Sequence, residues 1–299
     1  MPSALTCSVV IATLDRWASL GVVLRCLAAQ SRPPAEIVIV VAGEPPPPEV
    51  VGGAGTVPVR LVSGAEKSAA RQRNLGATLA TGQVLAFLDD DIEFGPELFA
   101  AALARFDEPP AGGIAALSPR IANTGRLAPG RLTRWYYALQ AGYLDRDYGG
   151  RLFGPGINCF PVYRETGPDL IPVEWLPATC LFVAAPLFQR HRFPLFTGYS
   201  FAEDVHLTAR LAREAPLYFL RTPAILHHSL PSEFKKNHAA LVAGKLHNMA
   251  VVARETMGLG GWALWWRWQL HRLFLTGILC LRRPAGAGAE LRGIWGARL

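Results

Sequence analysis

Val84-Leu85-Ala86-Phe87-Leu88-Asp89-Asp90-Asp91 runs five apolar residues straight into three carboxylates. A short apolar run bounded in this way reads as a buried strand that delivers charge to its C-terminal end. In open α/β sheets, ligands bind at those ends, near the point where the strand order reverses. Three adjacent carboxylates ionise together only when cations compensate them. A hard divalent ion such as Mg2+ suits the purpose, since it takes one or two carboxylates together with the phosphates of a substrate. The plainer reading is an acidic turn with Asp90 and Asp91 solvated.

Upstream of this stretch the pattern alternates. Ser8 to Ala12 is a short β-branched strand, Thr13-Leu14-Asp15-Arg16 a polar loop, and Trp17 to Ala29 an apolar-periodic helix. Glu36 to Val41 is a second buried strand closing at Ala42-Gly43-Glu44, so the opening strand–helix–strand unit predicts a parallel, right-handed crossover. A third strand is expected over Val57 to Val62 and a helix from about Ala65 to Ala80. On such a helix Lys67, Arg71 and Asn74 share one face at i, i+4 and i+7. That face is cationic and directly precedes the acidic strand, which is how a nucleoside diphosphate would be met by donors and metal together. A solvated helix face is the alternative.

Downstream, Glu97 to Phe106 reads as a helix and Ile114 to Leu117 as a strand. From Pro119 to Trp175 the pattern dissolves into Gly, Pro, Arg and aromatic residues, with one helix near Leu132 to Ala141; a span of this kind faces substrate. Leu176 to Ala185 is a strand under a pocket, with Trp175 and Thr179 assigned to the acceptor region. Glu203-Asp204 opens a helix running to Ala212, as dipole partners or as functional acids. Leu217 to Leu220 and Ala224 to His228 are two further strands, the second ending in paired histidines that would serve as metal ligands near carboxylates.

The last part differs in kind. Phe234 to Thr256 reads as a helix with Lys235 and Lys236 at its start, and Trp262 to Leu281 as a second, holding four of the eight tryptophans. A spanning helix needs ~20 predominantly apolar residues, and Arg267, His271 and Arg272 interrupt this one. An interfacial helix, with a Trp-rich face on a membrane and Arg on the other, accommodates the pattern. With 299 residues and 51% hydrophobic content the chain has ample material for a core, and its net charge of +7 favours anionic partners. The five cysteines are scattered without Cys-x-x-Cys spacing, as expected of reduced thiols, and the N-terminus lacks the features of a secretory leader, so a cytoplasmic location is expected.

In this order the pieces resemble the family 2 glycosyltransferases, GT-A enzymes that use nucleotide-diphosphate sugars. The resemblance rests on the nucleoside loop ending at Arg16, Arg73-Asn74-Leu75-Gly76, Ala80-Thr81-Gly82, the Asp-x-Asp motif Asp89-Asp90-Asp91, Glu203-Asp204, and the strand ending at His228. It implies an α/β fold in which a Rossmann-like mixed sheet is flanked by helices. Residues 1–230 would form the transferase domain, with a nucleotide-binding half (1–118) and an acceptor half (119–230), leaving 231–299 as a helical extension whose Trp-rich, basic composition suits the inner face of the plasma membrane.

It implies, too, that Thr13, Asp15, Arg16, Glu44, Lys67, Arg71, Arg73, Asn74, Asp89 and Asp90 serve the donor. Asp89, Asp91 and His228, with His227 as the substitute, would hold Mn2+ or Mg2+. Either Asp204 or Glu203 would be the base in an inverting transfer to a glycan or lipid-linked hydroxyl. Members of the family often end the second strand with Asp residues that read uracil; here Gly43-Glu44 stands there, so UDP, dTDP and GDP donors all stay open. A nucleotidyltransferase and a non-catalytic basic membrane-binding protein are the competing readings.

Overall fold

The fold is described by a computed structural model over residues 4–64, 66–124, 128–161, 167–197, 201–229, 237–282, 284 and 286–299. The strands are β1 (Cys7–Thr13), β2 (Glu36–Val41), β3 (Val59–Val62), β4 (Val84–Leu88), β5 (Ile92–Phe94), β6 (Ala116–Ile121), β7 (Leu152–Phe153), β8 (Ile157–Asn158), β9 (Leu170–Val173), β10 (Cys180–Ala184) and β11 (Leu217–His227). The helices are α1 (Trp17–Ala28), α2 (Pro48–Val51), α3 (Ala69–Leu79), α4 (Leu98–Asp107), α5 (Arg131–Ala141), α6 (Ala185–Arg190), α7 (Glu203–Leu211), α8 (His238–Met257), α9 (Gly261–Arg282) and α10 (Ala287–Gly296). By contacts the chain divides into two units, interleaved in sequence. The first holds Met1–Gly125, Tyr163–Leu195 and Leu207–Leu230; the second holds Arg126–Val162, Phe196–His206 and Pro231–Leu299.

The first unit is built on a mixed sheet of order β3-β2-β1-β4-β10-β6-β11-β5, with β9 also paired to β11. β1 lies parallel to both β2 and β4, while β10 runs antiparallel between β4 and β6. The chain therefore winds outward from β1 to β3 and returns to β4, leaving the switch point between the C-terminal ends of β1 and β4. β4 is fully buried, as expected of a strand covered on both faces. Phe87 on it packs against Phe188 and Phe193, with ring centroids 4.7 and 5.2 Å apart.

Several boundaries move for physical reasons. α3 starts at Ala69 rather than near residue 65, because Ser68 caps it by accepting from the Arg71 amide. Lys67 is therefore outside the helix and does not share a face with Arg71 and Asn74. The two strands expected over 217–228 are one, β11, whose first half pairs with β6 and β9 and whose second half pairs with β5 after a register shift. β5 and α10 had no counterpart in the sequence reading. The expected start of α8 at Phe234, with Lys235 and Lys236, lies outside the described residues.

The second unit has its own core, in which Tyr136, Tyr148 and Phe153 meet Leu246, Met249 and Trp268. The Tyr136 ring stacks on Phe274 at 3.7 Å, fixing α5 to α9. Among the described residues no helix is long and apolar enough to cross a membrane.

Candidate active site

At the switch point the three aspartates part company. Asp90 is buried and turns toward β1, where its carboxylate accepts from Thr13 Oγ1 at 2.7 Å and from Arg16 at 3.1 Å. Burial pushes its carboxyl above the usual carboxylate range; the Thr13 hydrogen bond and Arg16 oppose this, while the charges of Asp89 and Asp91 add to it. Asp89 is half-buried and ion-paired with the buried Arg73 at 2.6 Å. Asp91 is buried and divides its oxygens: Oδ2 faces Arg16 at 3.3 Å and Oδ1 faces His227 Nε2 at 3.1 Å. His227 Nε2 is also 3.9 Å from Asp89.

The backbone fixes this arrangement. The Asp89 amide donates to the Thr179 carbonyl at 3.0 Å, and the His228 amide to the Asp91 carbonyl at 2.9 Å. β11 pairs His227 with Ile92 in register, so the end of β11 is laid against the acidic turn. Asp89, Asp91 and His227 each present a ligand atom within 4.8 Å of the others. Two carboxylate oxygens and an imidazole nitrogen, spaced in this way, fit Mn2+ or Mg2+ with positions left over for phosphate oxygens.

The other expected residues are placed as follows. His228, the first ligand expected from the sequence, is exposed and faces Glu93 at 3.5 Å; His227 is the histidine in the cluster. Arg71 is exposed and pairs with Glu66, whereas its neighbour Arg73 reaches the acids. Lys67 and Glu44 are exposed. Asn74 clamps the Phe193 backbone through both of its amide atoms. Asp15 is exposed with φ 52°, and its carboxylate lies over Gly43, where a Cβ would come within 2.3 Å of Oδ1. Trp175 is buried in the first unit, so its ring is core rather than surface, and Thr179 serves the acid turn through its carbonyl.

Glu203 and Asp204 form the first turn of α7; Glu203 is buried, and Asp204 accepts from the Val205 amide at 2.8 Å. Gln72 belongs to the site without belonging to any of the motifs. This buried amide donates to the carbonyls of Thr13 and Val40 at 3.0 and 2.7 Å and so ties α3 to the ends of β1 and β2. Its one sequence signal is a polar residue four positions before Gly76, on the face of α3 that packs on the sheet.

Residues 8–165 match the family model described as glycosyl transferase family 2. No curated protein sequence gives a significant match. Among solved structures, S. aureus TarS 1-349 in complex with UDP-GlcNAc matches with a TM-score of 0.56 at 16% identity, over 92% of this chain and 73% of that one. Mannosyltransferase PcManGT from Pyrobaculum calidifontis, in complex with GDP-Man and Mn2+, matches at 0.53 and 16%, over 98% and 85%. Glucosyl-3-phosphoglycerate synthase from Mycobacterium tuberculosis matches at 0.52 and 15%, over 86% and 82%. At these identities the likeness is one of fold.

Proposed function

Because the chain belongs to glycosyl transferase family 2, we propose that it transfers a sugar, with inversion, from a nucleoside-diphosphate donor to a hydroxyl of a glycan or lipid-linked acceptor. Family membership decides for glycosyl transfer over nucleotidyl transfer and over a purely binding role. The observation that carries the metal-dependent form of this reading is the Asp89, Asp91 and His227 cluster. Mn2+ or Mg2+ there would neutralise the charge that builds on the leaving diphosphate. The PcManGT structure, with GDP-Man and Mn2+ on the same fold, supports this reading.

The chain's own residues divide the remaining work. Thr13, Asp15 and Arg16 line the end of β1 and receive the nucleoside, with UDP the first candidate and dTDP or GDP the others. Arg16 and Arg73 hold the acids in place by ion pairs, so that metal binding starts from placed ligands. Asp204, in the first turn of α7, takes the proton of the acceptor hydroxyl, with Glu203 the substitute. The enzyme works at the cytoplasmic face of the membrane.

The test is a thermal-shift panel of nucleotide sugars with and without Mn2+, followed by transfer assays and anomeric analysis of the product. A cognate donor raises the melting temperature more with Mn2+ than without. Asp91→Ala removes the metal-dependent part of the shift. Asp204→Asn keeps it but slows transfer by about 10²–10⁴-fold. A metal-dependent shift that survives Asp91→Ala would sink the metal site, and an Asp204→Asn enzyme of normal rate would remove Asp204 as the base.

A further inference from the structure

α9 turns the wrong side outward for a helix of a self-contained protein. His271 and Arg272 are buried, and Arg272 donates to the Trp295 carbonyl at 2.9 Å while lying 4.3 Å from the Trp295 ring. Arg267 is likewise directed inward, to the Gln140 carbonyl. Exposed instead are Trp262 (73%), Trp265 (42%) and Leu273 (58%). Their spacing puts them on one stripe of the helix, where polar residues belong when water is the only neighbour. The Trp262 and Trp265 rings stack at 4.6 Å. Trp295 of α10, 48% exposed, adjoins the stripe through a hydrogen bond of 3.2 Å from its Nε1 to Thr276.

Charge identifies what covers the stripe. The second unit holds 15 Lys and Arg against seven Asp and Glu, a net of +8, which leaves the first unit at −1; the whole positive excess of the chain is here. α9 carries no carboxylate. The carboxylates of α8 and α10, Glu255 and Glu290, are bound to His206 and His238 at 2.8 and 3.0 Å. Arg292 and Arg298, both exposed, stand three residues on either side of Trp295. Aromatic rings fringed by cations suit the headgroup level of an anionic bilayer, where a ring buries its body and keeps its N–H wet. No described helix is long and apolar enough to cross a membrane, which suits a contact in the plane of the interface.

We propose that Trp262, Trp265 and Leu273 of α9, with Trp295 of α10, dock the enzyme on the headgroup region of an anionic lipid bilayer. The proposal rests on the reading that the enzyme works at the membrane, and it names the surface and the lipid charge. The experiment co-sediments the full chain with vesicles of phosphatidylcholine alone and with phosphatidylglycerol added, at low and high salt. Tryptophan emission and its quenching by brominated acyl chains are read in parallel.

The wild type binds the anionic vesicles, less so at high salt, with blue-shifted, quenched emission. Trp262→Ser/Trp265→Ser/Trp295→Ser loses tenfold or more in vesicle affinity, and Arg292→Glu/Arg298→Glu loses the preference for phosphatidylglycerol. Both variants keep the wild-type thermal shift with donor, which shows that they fold. If the wild type binds no vesicle, the membrane reading falls and this surface with it. If the triple variant binds as well as the wild type, this surface alone falls. A wild-type dimer without lipid that the triple variant dissolves would mean that a second copy covers the stripe, and would overturn the proposal.

Discussion

At the scale of single residues, His227 joins the acidic cluster and its neighbour His228 does not. Adjacent side chains of an extended strand point to opposite faces, so one of a His pair at a strand end can join a cluster and the other cannot. The register that decides between them comes from the antiparallel pairing of His227 with Ile92 and from the His228 amide bonding to Asp91. Both are contacts between distant parts of the chain, and neither is written in the local pattern. His227→Ala should weaken Mn2+ binding by at least the roughly 10–100-fold that loss of a partner behind a metal ligand costs, read by calorimetry or by the spectrum of free Mn2+, while His228→Ala should leave it unchanged. Equal losses in the two variants would return His228 to the ligand set.

At the scale of elements, α3 shows what a motif preserves physically. Gly76 faces β1 and β2, and a Cβ there would meet Val10 Cγ1 at 2.4 Å and Val40 Cγ2 at 3.1 Å. The helix must lie this close for Gln72 to reach the Thr13 and Val40 carbonyls and for Arg73 to reach Asp89. Gly76→Ala should therefore cost about 1–3 kcal/mol through overpacking, measured by urea unfolding, and should weaken donor binding as Gln72 and Arg73 are displaced. An alanine variant of wild-type stability would show that the helix has room to move.

The same element marks the limit of what the sequence discloses. The parallel opening, the buried acidic strand and the polar start of α7 were legible because apolar runs and turn residues are local signals. Both Arg71 and Arg73 were named for the donor; that Arg73 alone of the two reaches the acids was not legible, because the start of α3 is set by Ser68. The span from Pro119 to Trp175 looked irregular since β7 and β8 are two residues each, and Tyr136, Tyr148 and Phe153 find their partners on α8 and α9 more than 90 positions away. α10 was hidden for a related reason. Its glycines make it a poor helix by propensity, yet Gly293 lets it approach α8, where a Cβ would meet the Ala239 carbonyl at 2.6 Å.

At the scale of the whole molecule, the second unit carries a pH dependence of its own. In its core the Tyr136 hydroxyl accepts from Gln140 Nε2 at 3.0 Å and lies 2.5 Å from His271 Nδ1. The Tyr136 hydroxyl can donate to His271 Nδ1 only while that nitrogen is unprotonated, so this bond goes with a neutral imidazole. Burial, with the Lys245 charge adding to it, pulls His271 down to about 4, whereas in the unfolded chain it titrates near 6.5. The folded pKa is the lower one, so the unfolded chain takes up the proton first. Stability from this group is complete above pH ~6.5 and is lost as pH falls toward 4, by about 3 kcal/mol in all. Glu36, Asp107, Asp169 and Glu214 lie below their ordinary range and lose their contributions only at still lower pH. Asp90, raised by burial, has the opposite sign, but it is common to any pair of proteins differing only at residue 271. Six of the eight tryptophans belong to the second unit, so tryptophan emission is the suitable probe of urea unfolding. Between pH 7 and 4.5 the wild-type midpoint should fall, while His271→Leu, weaker at pH 7 for want of the Tyr136 partner, should stay nearly level. Parallel pH profiles for the two proteins would mean that His271 takes up its proton alike in the folded and unfolded chains, and would remove it as the source of the pH dependence.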